Sequence, residues 1–356
     1  MNEQQRRLDE YPITRHPHRS NLVVIFCESL ESWLINAEAD GNKPITPYLN
    51  KLAADSTTLF APHVRSQVGS GRSIDAQLLM LAGMYPPSGY VWSMKYPFSR
   101  YHSIAEAMKN ANPATKSYLL TPDKPVTWNQ SLAAKALCID TLLSRDCWKE
   151  TEMIGKPAKL SDGAFLSQSV DKLRSGQIWP IGQPAFTMLI TYSGHNPFKL
   201  PENLKQIDIA GDYPAKMVDY MTMANYTDRS LAIIIEYLHS RSDWPETMVM
   251  IVGDHEALGT YRKEWLANPT AAEILSPESE VPLLILNAPV AGRFDNVVGE
   301  VDVYNTVIDL MNLRQHAWPG MGESLLNPTK VDITAPDEHI NSAPDMSRAI
   351  ILSNSL

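Results

Sequence analysis

TMVMIVGDH, residues 247–255, is a nearly unbroken apolar run that ends in a carboxylate and an imidazole. A short run of this kind reads as a strand buried on both faces, the habit of parallel sheets covered by helices. In such sheets ligands gather beyond the carboxyl ends of the strands, which is where Asp254 and His255 stand. Working outward, NLVVIFC (21–27), KSYLLT (116–121), AFTMLITY (185–192) and VPLLILN (281–287) read as further strands. TPYLNKLAADS (46–56), SIDAQLLMLAGM (73–84), YHSIAEAMKNAN (101–112), residues 215–240 and VDVYNTVIDLMNL (301–313) carry helical spacing. Strands alternating with helices predict an α/β fold with a largely parallel central sheet flanked by helices on both faces.

The bulk numbers fit that architecture. The chain has 356 residues, 44% hydrophobic and 20% charged, enough to bury a large core. Its net charge of -9, from 31 basic and 40 acidic residues, argues against a nucleic-acid partner. It leaves room for a local basic pocket. Three cysteines do not make a disulfide scaffold. Cys138 and Cys147 are near enough in sequence to pair, and Cys27 reads as a buried thiol. No apolar run is long enough to span a bilayer, and the first residues are polar. The expected organisation is a lead-in over 1–20, one domain over 21–330, and an extension over 331–356 packing on it, where AIIL (349–352) could add a small strand.

Polar residues directly after the strands are the candidates for chemistry. Glu28 follows NLVVIFC, His195 follows AFTMLITY with Ser193 and Gly194 between, and Asp254 and His255 follow TMVMIVG. Carboxylate oxygen with imidazole nitrogen suits Zn or Mn, and a second carboxylate fits the same site. In SQVGSGRSIDAQ (66–77), Gly69, Ser70 and Gly71 allow close backbone approach ahead of Ser73. A helix opening at Ser73 turns its amides toward an anion. A divalent metal could activate the hydroxyl as a nucleophile. Each residue alone also has a plainer reading: Glu28 as a first-turn carboxylate, Ser73 as a helix cap, Asp254-His255 as a turn. Arg72 is a phosphate contact or a solvated cation. Asp75 reads as a partner of the helix dipole and Glu31 as a solvated helix residue. His195 could protonate a leaving group. Trp128 and Asn129 offer a wall and a polar contact for a small polyol, or, for Trp128, a core position.

Taken in order, FCESLESW (26–33), GSGRSIDAQ (69–77), TYSGHNPF (191–198) and IVGDHEALG (251–259) resemble the alkaline phosphatase superfamily. More narrowly, they resemble the lipoteichoic acid synthase-type sulfatase domains and their phosphoglycerol transferase relatives. VGEVDVYNTVIDLMNL (298–313) is similar to a late helix of that family. The resemblance covers roughly residues 20–330 and implies an alkaline phosphatase-like fold. It implies one divalent metal, Mn first and Zn or Mg as alternatives, held by Glu28, Ser73, Asp254 and His255. Ser73 would be the nucleophile, forming a covalent phosphoserine. His195, Arg72, Trp128 and Asn129 would face the substrate. The implied donor is a phospholipid head group or other phosphodiester, and the implied acceptor a glycan or lipid hydroxyl. The place would be the outer face of the cytoplasmic membrane or the periplasm, with this chain the soluble domain of a membrane-anchored protein.

Two departures qualify the match. Ser73 stands where the family has Thr, a conservative change. Gln130 stands where the family has an Arg, which removes a bidentate anion contact and weighs against a phosphoglycerol head group. The Cys/Ser-x-Pro-x-Arg motif of true sulfatases is absent, which weighs against sulfate ester hydrolysis. A phosphodiesterase or phosphatase using water, and a non-catalytic binding module on the same fold, are the alternatives.

Overall fold

The computed structural model describes residues 19–257 and 259–327. Most of the expected lead-in and the whole 331–356 extension lie outside the described residues. The strands used below are β1 (Asn21–Cys27), β2 (Leu59–Arg65), β3 (Lys116–Leu120), β4 (Thr141–Leu143), β5 (Ala185–Ile190), β6 (Thr247–Gly253), β7 (Glu280–Leu286), β8 (Gly292–Arg293) and β9 (Val298–Gly299). They form one sheet in the order β8-β2-β7-β6-β1-β5-β3-β4, with β9 also on β2. The half built from β6, β1, β5, β3 and β4 is parallel throughout.

β1 shows why the sheet is covered twice. Val23, Ile25 and Cys27 enter one core, with Phe165 and Leu166 of α6 (Asp162–Arg174) and Met217 and Met221 of α7 (Ala215–Ser240). Leu22, Val24 and Phe26 enter the other, with Ile74 and Leu78 of α2 (Ser73–Ala82) and Tyr304 and Val307 of α8 (Glu300–Leu310). Period-two alternation into two apolar layers needs apolar residues at every position. The remaining helices used here are α1 (Pro47–Ala53), α3 (Trp92–Lys95), α4 (Ile104–Ala111) and α5 (Gln130–Ala136).

The structure corrects several expectations. β7 runs antiparallel to β6, and β2, which the sequence reading passed over, runs antiparallel to β7. LFAPHVR carries Pro62 in mid-strand, and the β2–β7 register shifts there, opposite Pro282 between Val281 and Leu283. A bulge is where a strand tolerates proline. Glu31 is buried, not solvated: it accepts the Ala257 amide at 2.7 Å and Trp33 Nε1 at 2.7 Å, and pairs with Arg262. Cys138 and Cys147 are both free thiols.

The turn after β5, which carries His195, is held from beneath by Asp162. Its Oδ1 accepts the amides of Tyr192 and Ser193 at 2.9 Å each, and its Oδ2 accepts the Thr227 hydroxyl at 2.7 Å. Burial pushes this carboxyl up despite those donors. Replacing Asp162 by Ala strands two buried amides, so the substitution is expected to cost about 2–4 kcal/mol. A urea midpoint unchanged in Asp162→Ala would contradict this account of the turn.

Candidate metal and nucleophile site

Four residues meet where β1, β6 and α2 converge. Glu28 and Asp254 sit directly after the parallel neighbours β1 and β6. The two strand ends are tied together, because Asp254 N donates to Cys27 O at 3.2 Å and Ser29 N to Asp254 Oδ1 at 2.8 Å. Ser73 is the first residue of α2, so its hydroxyl lies where the helix amides are unsatisfied. Its Oγ is 3.3 Å from Glu28 Oε2 and 3.2 Å from His255 Nε2. His255 Nε2 is 3.4 Å from Glu28 Oε1 and 3.7 Å from Asp254 Oδ2. One ligand atom from each of Glu28, Asp254 and His255 fits within 4.8 Å of the others.

Backbone shape makes the convergence possible. Arg72, just before Ser73, has φ 49° and ψ -117°, a conformation costly for any residue with a side chain. A Cβ on Gly253 would lie 2.1 Å from the Leu30 carbonyl oxygen, and one on Gly194 would lie 1.9 Å from that of Glu28. Only glycine lets the β5 and β6 ends close on the β1 turn. Asp75, fully buried, does more than complement the helix dipole. Its Oδ2 accepts the amides of Gly69 at 3.0 Å and Gly71 at 2.8 Å and so shapes the loop ahead of Ser73.

The electrostatics are those of a site that lacks positive charge. Burial and the neighbouring Glu28 push the Asp254 carboxyl up to about 6. Asp254 Oδ2 is buried without a hydrogen-bond partner. Burial works against a charged His255, yet Asp254 and Glu28 outweigh it and hold the imidazole above its ordinary value. Two carboxylates, one with an orphaned oxygen, an imidazole nitrogen and a hydroxyl fit a divalent cation. His255 Nδ1 is 2.9 Å from the Glu256 carbonyl, which fixes Nε2 as the inward nitrogen.

The residues expected on the substrate side differ in exposure and in partners. Arg72 is turned along it: Nη2 reaches Glu256 O at 2.8 Å and His255 Nδ1 at 3.1 Å, and Nη1 pairs with the Glu256 carboxylate. Burial opposes the Glu256 charge, but Arg72 prevails and holds that carboxyl below its ordinary value. His195 is exposed and stacks on Tyr192 at 5.4 Å, with Nδ1 2.7 Å from the Asn196 carbonyl. Trp128 is exposed at 42%, which rules out the core position. It and Asn129 both have left-handed backbone, φ 51° and 52°. Asn129 Nδ2 donates to Ser93 O at 3.1 Å. Gln130 is buried and exchanges amide hydrogen bonds with Gln77, one turn below Ser73 on α2, at 3.0 and 3.3 Å.

The sequence reading missed Lys159. Its Nζ pairs with Asp123 at 2.5 Å and lies 4.1 Å over the Tyr192 ring. Asp123 Oδ1 also accepts the Thr127 hydroxyl at 2.8 Å, so Lys159 joins the His195 turn to the Trp128 loop. KL (159–160) carries no motif and belongs to a two-residue strand, so only tertiary structure brings it here.

The sign of the metal linkage follows from Asp254. A carboxyl raised from its ordinary value to about 6 stabilises the metal-free fold at low pH, and that contribution is lost as pH rises through about 6. Mn or Zn is therefore expected to raise Tm clearly near pH 7.5 and little near pH 5. Thermal melts of the wild type and of His255→Ala at both pH values check this. An equal metal shift in the variant would contradict the ligand assignment.

Residues 20–313 match the family model described as Sulfatase. Lipoteichoic acid synthase 2 of Bacillus subtilis is 27% identical over 315 residues, 86% of this chain and 47% of that protein. The chain thus spans about half the length of the curated relatives it matches. Lipoteichoic acid synthase LtaP from Listeria monocytogenes superposes with a TM-score of 0.72 at 20% identity, covering 91% of this chain and 81% of that one. A protein in the alkaline phosphatase superfamily from Vibrio parahaemolyticus gives 0.64 at 18% identity, covering 87% and 76%. At these identities the superpositions speak for the fold, which is alkaline phosphatase-like. With the family model spanning the sheet, its helices and all four converging residues, the chain belongs to the Sulfatase family.

Proposed function

We propose that this chain is the catalytic part of an enzyme that transfers a phosphoryl head group through a covalent phosphoserine on Ser73. The observation that carries the reading is the approach of Ser73 Oγ to both Glu28 and His255 at the opening of α2. Glu28, Ser73, Asp254 and His255 would hold one divalent ion, Mn first among the candidates. Such an ion supplies activation of the serine hydroxyl and offsets charge on the phosphoryl oxygens.

The protein's own groups account for the rest. The α2 amides face the anion. Ser73 Oγ attacks as the alkoxide, the serine–phosphorus bond forms, and the phosphorus–oxygen bond to the leaving alcohol breaks. His195, with Nδ1 committed to the Asn196 carbonyl, uses Nε2 to give the leaving oxygen its proton. An acceptor hydroxyl then gives its proton back to Nε2 of His195 and takes the phosphoryl group, and Ser73 leaves as the alkoxide again. Arg72 pairs with the Glu256 carboxylate and donates from Nη2 to the Glu256 carbonyl that orients His255. Trp128 and Asn129 wall the head group, and Lys159 supplies a cation beside them.

In this reading the donor is lipid-linked and the acceptor a glycan or lipid hydroxyl; the support is that the similar proteins include lipoteichoic acid synthases. Among the described residues no helix is long and apolar enough to cross a membrane. Gln130, in the slot where the resembled family carries Arg, is held in a neutral pair with Gln77. This favours a phosphodiester head group recognised through hydroxyls and the Lys159 side over one clamped by a guanidinium. Residues 21–330 act as one catalytic unit in this reading.

Turnover of bis(p-nitrophenyl) phosphate with Mn is expected to fall at least about a thousandfold in Ser73→Ala. Activity that survives the substitution would sink the nucleophile assignment. Added glycerol is expected to divert the phosphoryl group from water. Free phosphate or nitrophenyl phosphate unchanged by glycerol would assign the domain to hydrolysis.

A further inference from the structure

Nine large apolar side chains are exposed among the described residues, and six of them fall in two short segments. These are Tyr90, Met94, Tyr96 and Phe98 in the first and Val126 and Trp128 in the second. Phe98 is 88% exposed and Val126 73%. Scattered exposed apolar residues need no explanation, but a cluster of this kind marks an interaction surface. The two segments are joined by the hydrogen bond from Asn129 Nδ2 to Ser93 O at 3.1 Å. The same ribbon is fastened to the nucleophile helix, because fully buried Trp92 donates from Nε1 to Ile74 O at 2.7 Å. The patch therefore begins at the lip of the Ser73 site and has a fixed position relative to it.

Charge narrows the occupant. The protein is acidic overall, at -9, yet no Asp or Glu occurs between Asp75 and Glu106. Within that stretch lie Arg100, which pairs with Glu106 at 2.8 Å, and Lys95, 4.5 Å over the Tyr90 ring. Lys124 flanks the second segment, and its acidic neighbour Asp123 is paired with Lys159. Tyr and Trp have an apolar body and a polar tip, Phe and Met are wholly apolar, and the cations sit among them. That is the composition of a surface that lies in a bilayer interface bearing anionic lipid.

We propose that the surface formed by Tyr90, Met94, Tyr96, Phe98, Val126 and Trp128 seats on an anionic lipid bilayer and presents the Ser73 site to the headgroup layer. Its purpose rests on the lipid-donor reading above, but the binding itself does not require turnover. Phe98 and Met94 enter the interface, Trp128 marks its level beside the site, and Lys95 and Lys124 meet headgroup phosphates. A head group attached to its lipid then reaches Ser73 without leaving the membrane.

The test is co-sedimentation of this chain with vesicles of phosphatidylcholine alone and of phosphatidylcholine with phosphatidylglycerol. The wild type is expected to pellet with the anionic vesicles and far less with the neutral ones. Met94→Ser combined with Phe98→Ser should weaken that binding about tenfold, and Lys95→Glu should weaken it further at low salt. Both variants should keep wild-type Tm and wild-type turnover of bis(p-nitrophenyl) phosphate. Wild type remaining in the supernatant, or variants that bind as well as it does, would overturn the proposal. So would a dimer in sedimentation velocity that the same substitutions dissolve, since a second copy would then cover the patch. Vesicle binding lost in the variants, with no phosphodiester turnover in any form, would keep the surface and remove the catalytic reading.

Discussion

Two carboxylates, Glu28 and Asp254, are brought side by side at the ends of adjacent parallel strands, in a place nearly closed to water. Burial and the neighbouring Glu28 push Asp254 up, the two carboxylates draw His255 toward its charged form, and Asp254 Oδ2 is still left without a partner. A fold does not gather like charge in a dry site for its own stability. The surrounding structure is arranged to hold that gathering in place. Gly194 and Gly253 let the strand ends close, Ser29 N fixes one oxygen of Asp254, and the Glu256 carbonyl orients His255. The proposal that the site holds a cation starts from that imbalance, and the proposal of Ser73 as nucleophile from its Oγ lying beside Glu28 and His255.

The outer shell is equally specific. Asp162 holds the turn that carries His195, Asp75 holds the loop ahead of Ser73, and Glu31 ties Ala257, Trp33 and Arg262 together. Three further buried carboxylates thus do structural work through backbone amides and neighbouring donors. Across the opening, Gln77 and Gln130 link α2 to the Trp128 loop without adding charge, and Lys159 bridges that loop to the His195 turn. The cation nearest these loops, Lys159, is paired with Asp123 and lies over the Tyr192 ring.

The central strands and most helices were legible because burial on both faces leaves an unbroken apolar signature. TMVMIVG and residues 215–240 begin and end where the sequence places them. β2 was not legible, since Pro62 interrupts its strand pattern at a bulge, and β7 was read as a strand without any sign of its antiparallel direction. Glu28, Ser73, Asp254 and His255 could be found because each directly follows a strand or opens a helix. Glu31 looked solvated because the sequence does not show that it precedes a single 3-10 turn and reaches Ala257 and Arg262. Lys159 and Gln77 gave no signal, because their partners are 36 and 53 residues away in the chain. Asp75 was assigned to the helix dipole, whereas its work is done on two amides that precede it.

The central claim is that Ser73 takes the phosphoryl group. Intact-mass measurement of the Mn-loaded protein, acid-quenched during turnover of a phosphodiester, tests it most directly. The account predicts a covalent phosphoryl adduct that peptide mapping places on Ser73 and that Ser73→Ala abolishes. Continued turnover with no adduct, or an adduct on another residue, would contradict it.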